Sequence, residues 1–150
     1  MKAVIQRVNK AEVEINNRNY SNISKGLLVL LGIELNDNEN TAVYLSKKII
    51  DLRIFPDDDE KMNLSVRDVN GEVLIISQFT LCTRAKSGNR PGFTNAAKPE
   101  ISKKIYEYFI QNMKDYYIED KIFSGIFGEY MKINLINDGP VTIILEKSES

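Results

Sequence analysis

Histidine is absent from the 150 residues, and cysteine occurs once, at Cys82. Without histidine, Ser-His-Asp and Cys-His catalytic arrangements are excluded, as are histidine-ligated zinc sites. One cysteine can neither close an internal disulfide nor supply a cysteine-cluster metal site. A hydrolase built on this chain must therefore move protons by another route. No apolar run approaches the ~20 residues of a membrane-spanning helix. Neither sign of charge is in excess: 20 basic and 21 acidic residues leave a formal net charge of −1. A polycation that coats nucleic acid indiscriminately is thus ruled out, and any RNA has to be held locally. The chain opens on Lys2-Ala3-Val4-Ile5-Gln6-Arg7 rather than on a long apolar signal region, so the expectation is a cytoplasmic protein with no membrane association, no cofactor and no metal. Its length suits one domain spanning residues 1–150.

The most informative stretch runs from Gly71 to Thr83. Val73 to Ile76 is apolar at every position, as in a strand covered on both faces. Polarity then changes abruptly. Extending the two-residue period, Gln78 and Thr80 continue the face of Leu74 and Ile76, while Ser77, Phe79 and Leu81 continue the other. An amide and a hydroxyl thus leave the end of a core strand together. They either bond to neighbouring backbone, as most buried polar side chains do, or serve a site.

Elsewhere the pattern predicts alternating strands and two long helices. Residues 1 to 15 read as two short strands, in which Arg7 either snorkels to the rim or pairs with a carbonyl or carboxylate. Leu27 to Ile33 reads as a central strand. Ala42, Leu45, Ile49 and Leu52 mark an amphipathic helix, capped from among the residues at 36–40. Arg53 to Phe55 is a short strand ended by Pro56. Asp57 to Glu60 reads as a solvated loop, because four consecutive acids lack the alternating spacing of a calcium loop. Asn70-Gly71 is the strongest hairpin signal and is expected to fold residues 64–69 back along the following strand. From Thr83 to Phe93, three cations, two glycines and a proline form a loop that is either ordinary basic surface or an anion site. A second helix runs from Pro99 to about residue 114, with Ile101, Ile105 and Met113 on its apolar face and Tyr106 and Tyr108 as packing residues. Residues 116–123 form a strand or irregular edge. Met131, Ile133 and Leu135 belong to another strand, Gly139-Pro140 to a tight turn, and Val141 to Leu145 to the last strand. Together these predict an α+β domain: a curled, mainly antiparallel, barrel-like sheet with two main helices packed on it.

Four motifs, Met1-Lys2-Ala3-Val4-Ile5-Gln6-Arg7-Val8, Ser77-Gln78-Phe79-Thr80-Leu81, Gly88-Asn89-Arg90-Pro91 with Phe93, and Asn137-Asp138-Gly139-Pro140-Val141-Thr142, together resemble the D-aminoacyl-tRNA deacylase family, in its order and across the whole chain. The resemblance implies hydrolysis of the ester joining a D-amino acid to the terminal adenosine of tRNA, and activity on glycine carried by the wrong tRNA. It also implies a homodimer with the active site at the subunit interface, where a cis Gly139-Pro140 peptide from one subunit enters the other's pocket and excludes L side chains. Ser77, Gln78, Phe79 and Thr80 would line the catalytic pocket, and Arg7 would support the Gly-Pro loop. Gly88, Asn89, Arg90, Pro91, Phe93 and Met131 would wall the adenosine of the aminoacylated tRNA 3′ end. With no base to activate it, Thr80 is read as a positioning residue. Backbone N–H groups near Phe79 and Thr80 would hold the oxyanion, and the terminal 2′-hydroxyl would assist water. Cys82 is read as a small apolar filler. The competing readings are a non-catalytic RNA-binding module, a paralogous deacylase of mischarged tRNA with a trans Gly-Pro peptide, and a hydrolase of small acyl esters.

Overall fold

The apolar run from Leu27 to Leu31 becomes β3 (Gly26–Gly32), the strand about which the sheet is arranged. The computed structural model describes residues 1–84 and 87–149; Lys86, one of the three cations of the expected basic loop, lies outside the described residues. On one side β3 pairs antiparallel with β1 (Lys2–Ile15), and on the other it pairs parallel with β6 (Glu72–Ser77). The sheet continues outward from β1 to β2 (Arg18–Ile23) and from β6 to β7 (Ile122–Ser124). The final strand, β8 (Lys132–Glu146), lies antiparallel along β1. A small separate ribbon is formed by β4 (Phe55–Pro56) and β5 (Met62–Leu64).

Alternation within β3 and β6 feeds two cores, which is why these strands read as apolar throughout. Leu27, Val29, Leu31, Val73 and Ile75 face α1 (Glu39–Ile50) and α2 (Pro99–Tyr116), meeting Leu45, Ile49, Ile105 and Phe109. Leu28, Leu74 and Ile76 face into the curl of the sheet with Val8, Val13 and Ile23. Burying each such side chain fully stabilises the fold by about 1.5–3 kcal/mol. The curl brings the outer strands together, and the Ser21 hydroxyl donates to the Ser124 carbonyl at 3.0 Å, joining β2 to β7. The α+β class, the near-barrel sheet and the two packed helices match expectation. The two ladders of β6, with β3 and with β7, are parallel, so the sheet is mixed. Among the described residues no helix is long and apolar enough to cross a membrane.

Helix α1 starts with a reciprocal cap. Asn38 Oδ1 accepts from the N–H groups of Asn40 and Thr41, while Thr41 Oγ1 accepts from Asn38 N. Helix α2 begins on Pro99, whose fixed φ suits a first turn. Its buried face is Ser102, Ile105, Tyr106, Phe109 and Met113, whereas Ile101 faces solvent. Tyr106 packs in the core, with its hydroxyl donating to Ile75 O at 2.8 Å.

Several local expectations are corrected. Residues 2–15 form one strand, because β8 runs along both halves and bridges the predicted break. Asn70 does adopt a left-handed φ of 53°, but no hairpin follows. Both edges of β6 are occupied by β3 and β7, and Leu64 pairs with Phe55 instead. Gly139-Pro140 does not separate two strands but interrupts one. Between Gln6↔Thr142 and Val8↔Asn137, β8 inserts Asp138 to Val141 where β1 has only Arg7. The surplus residues bulge out of the ladder, and Gly139 and Pro140 are exposed.

Candidate active site

Strand β6 ends at Ser77, and its last tie to β3 is the Gln78 N–H to Leu31 O bond at 2.7 Å. The chain then tightens into a 3-10 turn, Phe79–Cys82, with Leu81 N–H donating to Gln78 O at 3.2 Å. The expected extended alternation therefore stops at Ser77. A cause lies on the neighbouring strand. A Cβ added at Gly32 would sit 2.9 Å from Leu81 Cβ and 3.0 Å from Gln78 O, so only glycine lets the turn close onto β3. Phe79 and Thr80 precede the turn's first i→i+3 bond, where N–H groups have no partner within the turn.

Gln78 and Thr80 do come together. The Gln78 amide donates to Thr80 Oγ1 at 2.6 Å, leaving the hydroxyl proton free for another acceptor. The bond runs from side chain to side chain, so it is not the bond to neighbouring backbone that was one of the two alternatives. The Thr83 hydroxyl in turn donates to Thr80 O. Beneath them Cys82 is fully buried, with its thiol on Ile33 O at 3.5 Å. Burial, followed by the nearby Glu34 carboxylate, pushes that thiol up to about 11. It is the inert filler that the sequence suggested.

A cavity of about 660 Å³ opens against this end of the sheet. Ser77, Gln78 and Phe79 line it, with Phe93 and Met131. The Phe79 ring meets the Phe93 ring edge-on at 5.1 Å. Five expected site residues thus surround one space of ligand-binding size. Thr80 lies beside the cavity through its bond to Gln78 rather than on its wall. Gly88, Asn89, Arg90 and Pro91 form an exposed loop and do not line the cavity. That loop is closed by Arg84 N–H to Gly92 O at 3.0 Å, and Gly88 has a φ of 75°. Phe127, Lys98 and Tyr130 also line the cavity and were not singled out from sequence. Phe127 lies between Gly125 and Gly128, and those flanking glycines are the signal that the sequence holds for it. Among the described residues no three Cys, Asp or Glu side chains gather as a metal site requires.

A second constellation lies on the β8 bulge. Arg7, almost enclosed, donates through Nη1 to Ile54 O at 2.7 Å and through Nε to Asp138 O at 3.1 Å. The same Nε pairs with Asp138 Oδ2 at 3.2 Å. This decides between the two sequence readings of Arg7 in favour of pairing. Asn137 closes the base of the bulge: Oδ1 accepts from Val141 N–H at 3.1 Å, and Nδ2 donates to Val141 O at 2.9 Å. Asn137 and Asp138 belong to the motif from Asn137 to Thr142 that the resemblance rests on, but no role was assigned to either side chain from sequence. The Gly139-Pro140 peptide bond is cis, and Gly139 has a φ of 140°. A Cβ there would meet Val141 Cγ2 at 2.6 Å, so the position has room for glycine alone. Within one chain Gly139 and Pro140 do not line the cavity.

With this geometry in view, the chain can be compared with known proteins. The model of the family described as D-Tyr-tRNA(Tyr) deacylase matches residues 4–146. A D-aminoacyl-tRNA deacylase of Thermosipho melanesiensis is 51% identical over 150 residues, 99% of either chain. One of Flavobacterium psychrophilum is 51% identical over 146 residues, 97% of either chain. A solved structure of a c-Myc DNA unwinding element binding protein superposes with a TM-score of 0.95 at 40% identity, covering 99% of this chain and all of the other. A probable eukaryotic D-amino acid tRNA deacylase superposes at 0.83 with 14% identity, covering 96% of this chain and 97% of that one, and so shares the fold.

Proposed function

The chain belongs to the D-Tyr-tRNA(Tyr) deacylase family, and we propose that it hydrolyses D-aminoacyl-tRNA, and tRNA wrongly carrying glycine, at the cavity beside the end of β6. The observation that carries this reading is the convergence of Ser77, Gln78, Phe79, Phe93 and Met131 on one 660 Å³ space next to a turn whose two leading N–H groups precede its first i→i+3 bond. Water attacks the ester carbonyl carbon, and the resulting oxyanion is held by the N–H groups of Phe79 and Thr80. The bond to the ribose 3′-oxygen then breaks and that oxygen takes a proton, releasing free D-amino acid and tRNA. The terminal 2′-hydroxyl helps to activate the water in a chain that has no histidine to do so. Thr80 positions the substrate rather than attacking it, because its nearest polar partner, the Gln78 amide, is a donor and cannot take a proton.

Stereochemical selection comes from Gly139 and Pro140 of a second copy of the chain, docked as a homodimer over the cavity. Supporting this are the projection of the bulge from β8, its exposure, and its anchoring by Arg7. Its carbonyls meet the substrate's α-amino group and leave no space for an L side chain, so selection works by exclusion. The phenyl rings at 79 and 93, with Met131, pack the adenosine.

The test is to incubate the protein with matched D- and L-aminoacyl-tRNA. Release of the D-amino acid alone is expected; if both esters survive, the protein is a binder. The same D-ester on a tRNA ending in 2′-deoxyadenosine should be cleaved far more slowly, and full-speed cleavage would remove the RNA-assisted route. Thr80→Ala should retain measurable single-turnover hydrolysis, and complete loss in a folded variant would make the hydroxyl the nucleophile.

A further inference from the structure

Tyr130 is the most exposed of the large hydrophobic side chains, with 80% of its surface in solvent. A single exposed aromatic is ordinary on a protein surface, so its position has to decide what it means. Tyr130 lines the same cavity as Phe127 and Met131, on the segment that connects β7 to β8. The backbone there is fixed at both ends. Glu129 N–H donates to Ile126 O at 3.3 Å, Gly128 turns the chain with a φ of 82°, and Lys132 is held in register opposite Glu14. Gly125 is in such close contact with Met131 that an added Cβ would come within 2.5 Å of Sδ. The ring is thus presented at the cavity mouth from a braced support. Lys98, an exposed cation, borders the same opening.

We propose that Tyr130 and Lys98 form a subsite for the unpaired nucleotide that precedes the terminal adenosine, with its base stacked on the phenol ring and its phosphate toward the ammonium. This rests on the proposed function. If the ester lies at Ser77 to Thr80 and the adenosine fills the cavity, the preceding nucleotide leaves through the mouth, where these two side chains stand. An aromatic face with a nearby cation is the pairing that holds single-stranded nucleic acid without reading its sequence. Glu129 also borders the mouth and repels a phosphate, which leaves the Lys98 side for the backbone. The partner is the single-stranded 3′ end of the tRNA, engaged one nucleotide beyond the reacting one.

The test is a two-by-two cycle. D-aminoacyl-tRNA with an intact or an abasic penultimate nucleotide is offered to the unsubstituted protein and to Tyr130→Ala, with melting temperature and oligomeric state as controls. Each change alone should lower kcat/KM by about 5- to 100-fold, mainly through KM, the loss expected for one base–aromatic stack. Both changes together should cost little more than either alone, because both remove the same contact. Tyr130→Phe and Tyr130→Trp should restore most of the loss, and Lys98→Ala should flatten the salt dependence by about 0.7 in log–log slope. Losses that multiply, or a Tyr130→Ala enzyme within twofold on the intact tRNA, overturn the subsite. If the unsubstituted protein cleaves neither tRNA, the deacylase reading itself fails and the subsite falls with it. That outcome is distinguishable, because a subsite failure alone leaves hydrolysis of the intact substrate in place.

Discussion

Gly32 is where the scaffold and the candidate site press on each other most directly. Its φ is unremarkable, so its glycine is a matter of space. A methyl group placed there would meet Leu81 Cβ at 2.9 Å, Gln78 O at 3.0 Å and Cys82 Sγ at 3.2 Å. The first of these lies about 0.6 Å inside the ~3.5 Å at which carbon atoms settle. All three belong to the turn or its lead residue, and Gly32 itself is held in register opposite Lys2 of β1. In Gly32→Ala the turn must yield. Overpacking of this kind costs about 1–3 kcal/mol, which for a chain of this size lowers Tm by about 2–12 °C. The displaced atoms include the Gln78 carbonyl and the backbone beside the cavity, and misplacement by a fraction of an ångström to 1 Å costs up to ~100-fold in rate. The assay pairs thermal unfolding with single-turnover hydrolysis of D-aminoacyl-tRNA, measured well below the lowered Tm. The expected result is a fall in the single-turnover rate larger than the stability loss explains. Gly92→Ala is the control, since among the described residues a Cβ there meets only Arg84 O, at an ordinary 3.6 Å. If Gly32→Ala melts with the unsubstituted protein and cleaves within twofold of it, the turn does not rest on β3 and the reasoning is refuted.

Arg7→Ala removes the bonds to Ile54 O and Asp138 O and the pairing with the half-exposed Asp138 carboxylate, and should cost about 2–4 kcal/mol in urea unfolding. Arg7→Lys should recover only part of it, because one ammonium cannot span both carbonyls. In both variants hydrolysis of L-aminoacyl-tRNA should rise relative to the D-ester, and an unchanged ratio would separate Arg7 from selection. Cys82 should resist alkylation in the native protein and react readily once unfolded. Its thiol holds its proton more tightly in the fold, at about 11 against an ordinary 9, so its contribution to stability is complete below about pH 9 and is lost as pH rises toward 11. Cys82→Ala should weaken that alkaline loss, as followed by thermal melts between pH 8 and 11.

What could be read from the chain follows from how far away each determinant lies. The cores of β3 and β6 were legible because apolar residues at every position report burial on both faces, a local property. Helices α1 and α2 were legible from their spacing to within a few residues. The 3-10 turn at Phe79–Cys82 was not. Its cause is the missing Cβ at Gly32, on another strand and far away in sequence, and strand periodicity carries no trace of it. The hairpin expected at Asn70-Gly71 failed for a similar reason: the local turn formed, but both edges of β6 were already taken.

The β8 bulge differs in kind from the cavity at the end of β6. Asn137 to Thr142 looked like a turn between strands because the residues that make it a bulge sit on β1, where Arg7 alone faces the surplus Asp138 to Val141. An ordinary turn would have let the chain reverse. Here β8 resumes pairing at Thr142 and has to continue straight, so the surplus can only leave the ladder. Arg7 and Asn137 then occupy the inward-facing carbonyls and N–H groups, which spares the tip any need to bond within its own chain. A rigid, exposed tip with satisfied roots and no contact with its own cavity is suited to meeting something outside the chain. The end of β6 carries instead a recess of about 660 Å³. One chain therefore carries a projection and a recess that do not meet each other, which is the arrangement that the proposed homodimer uses.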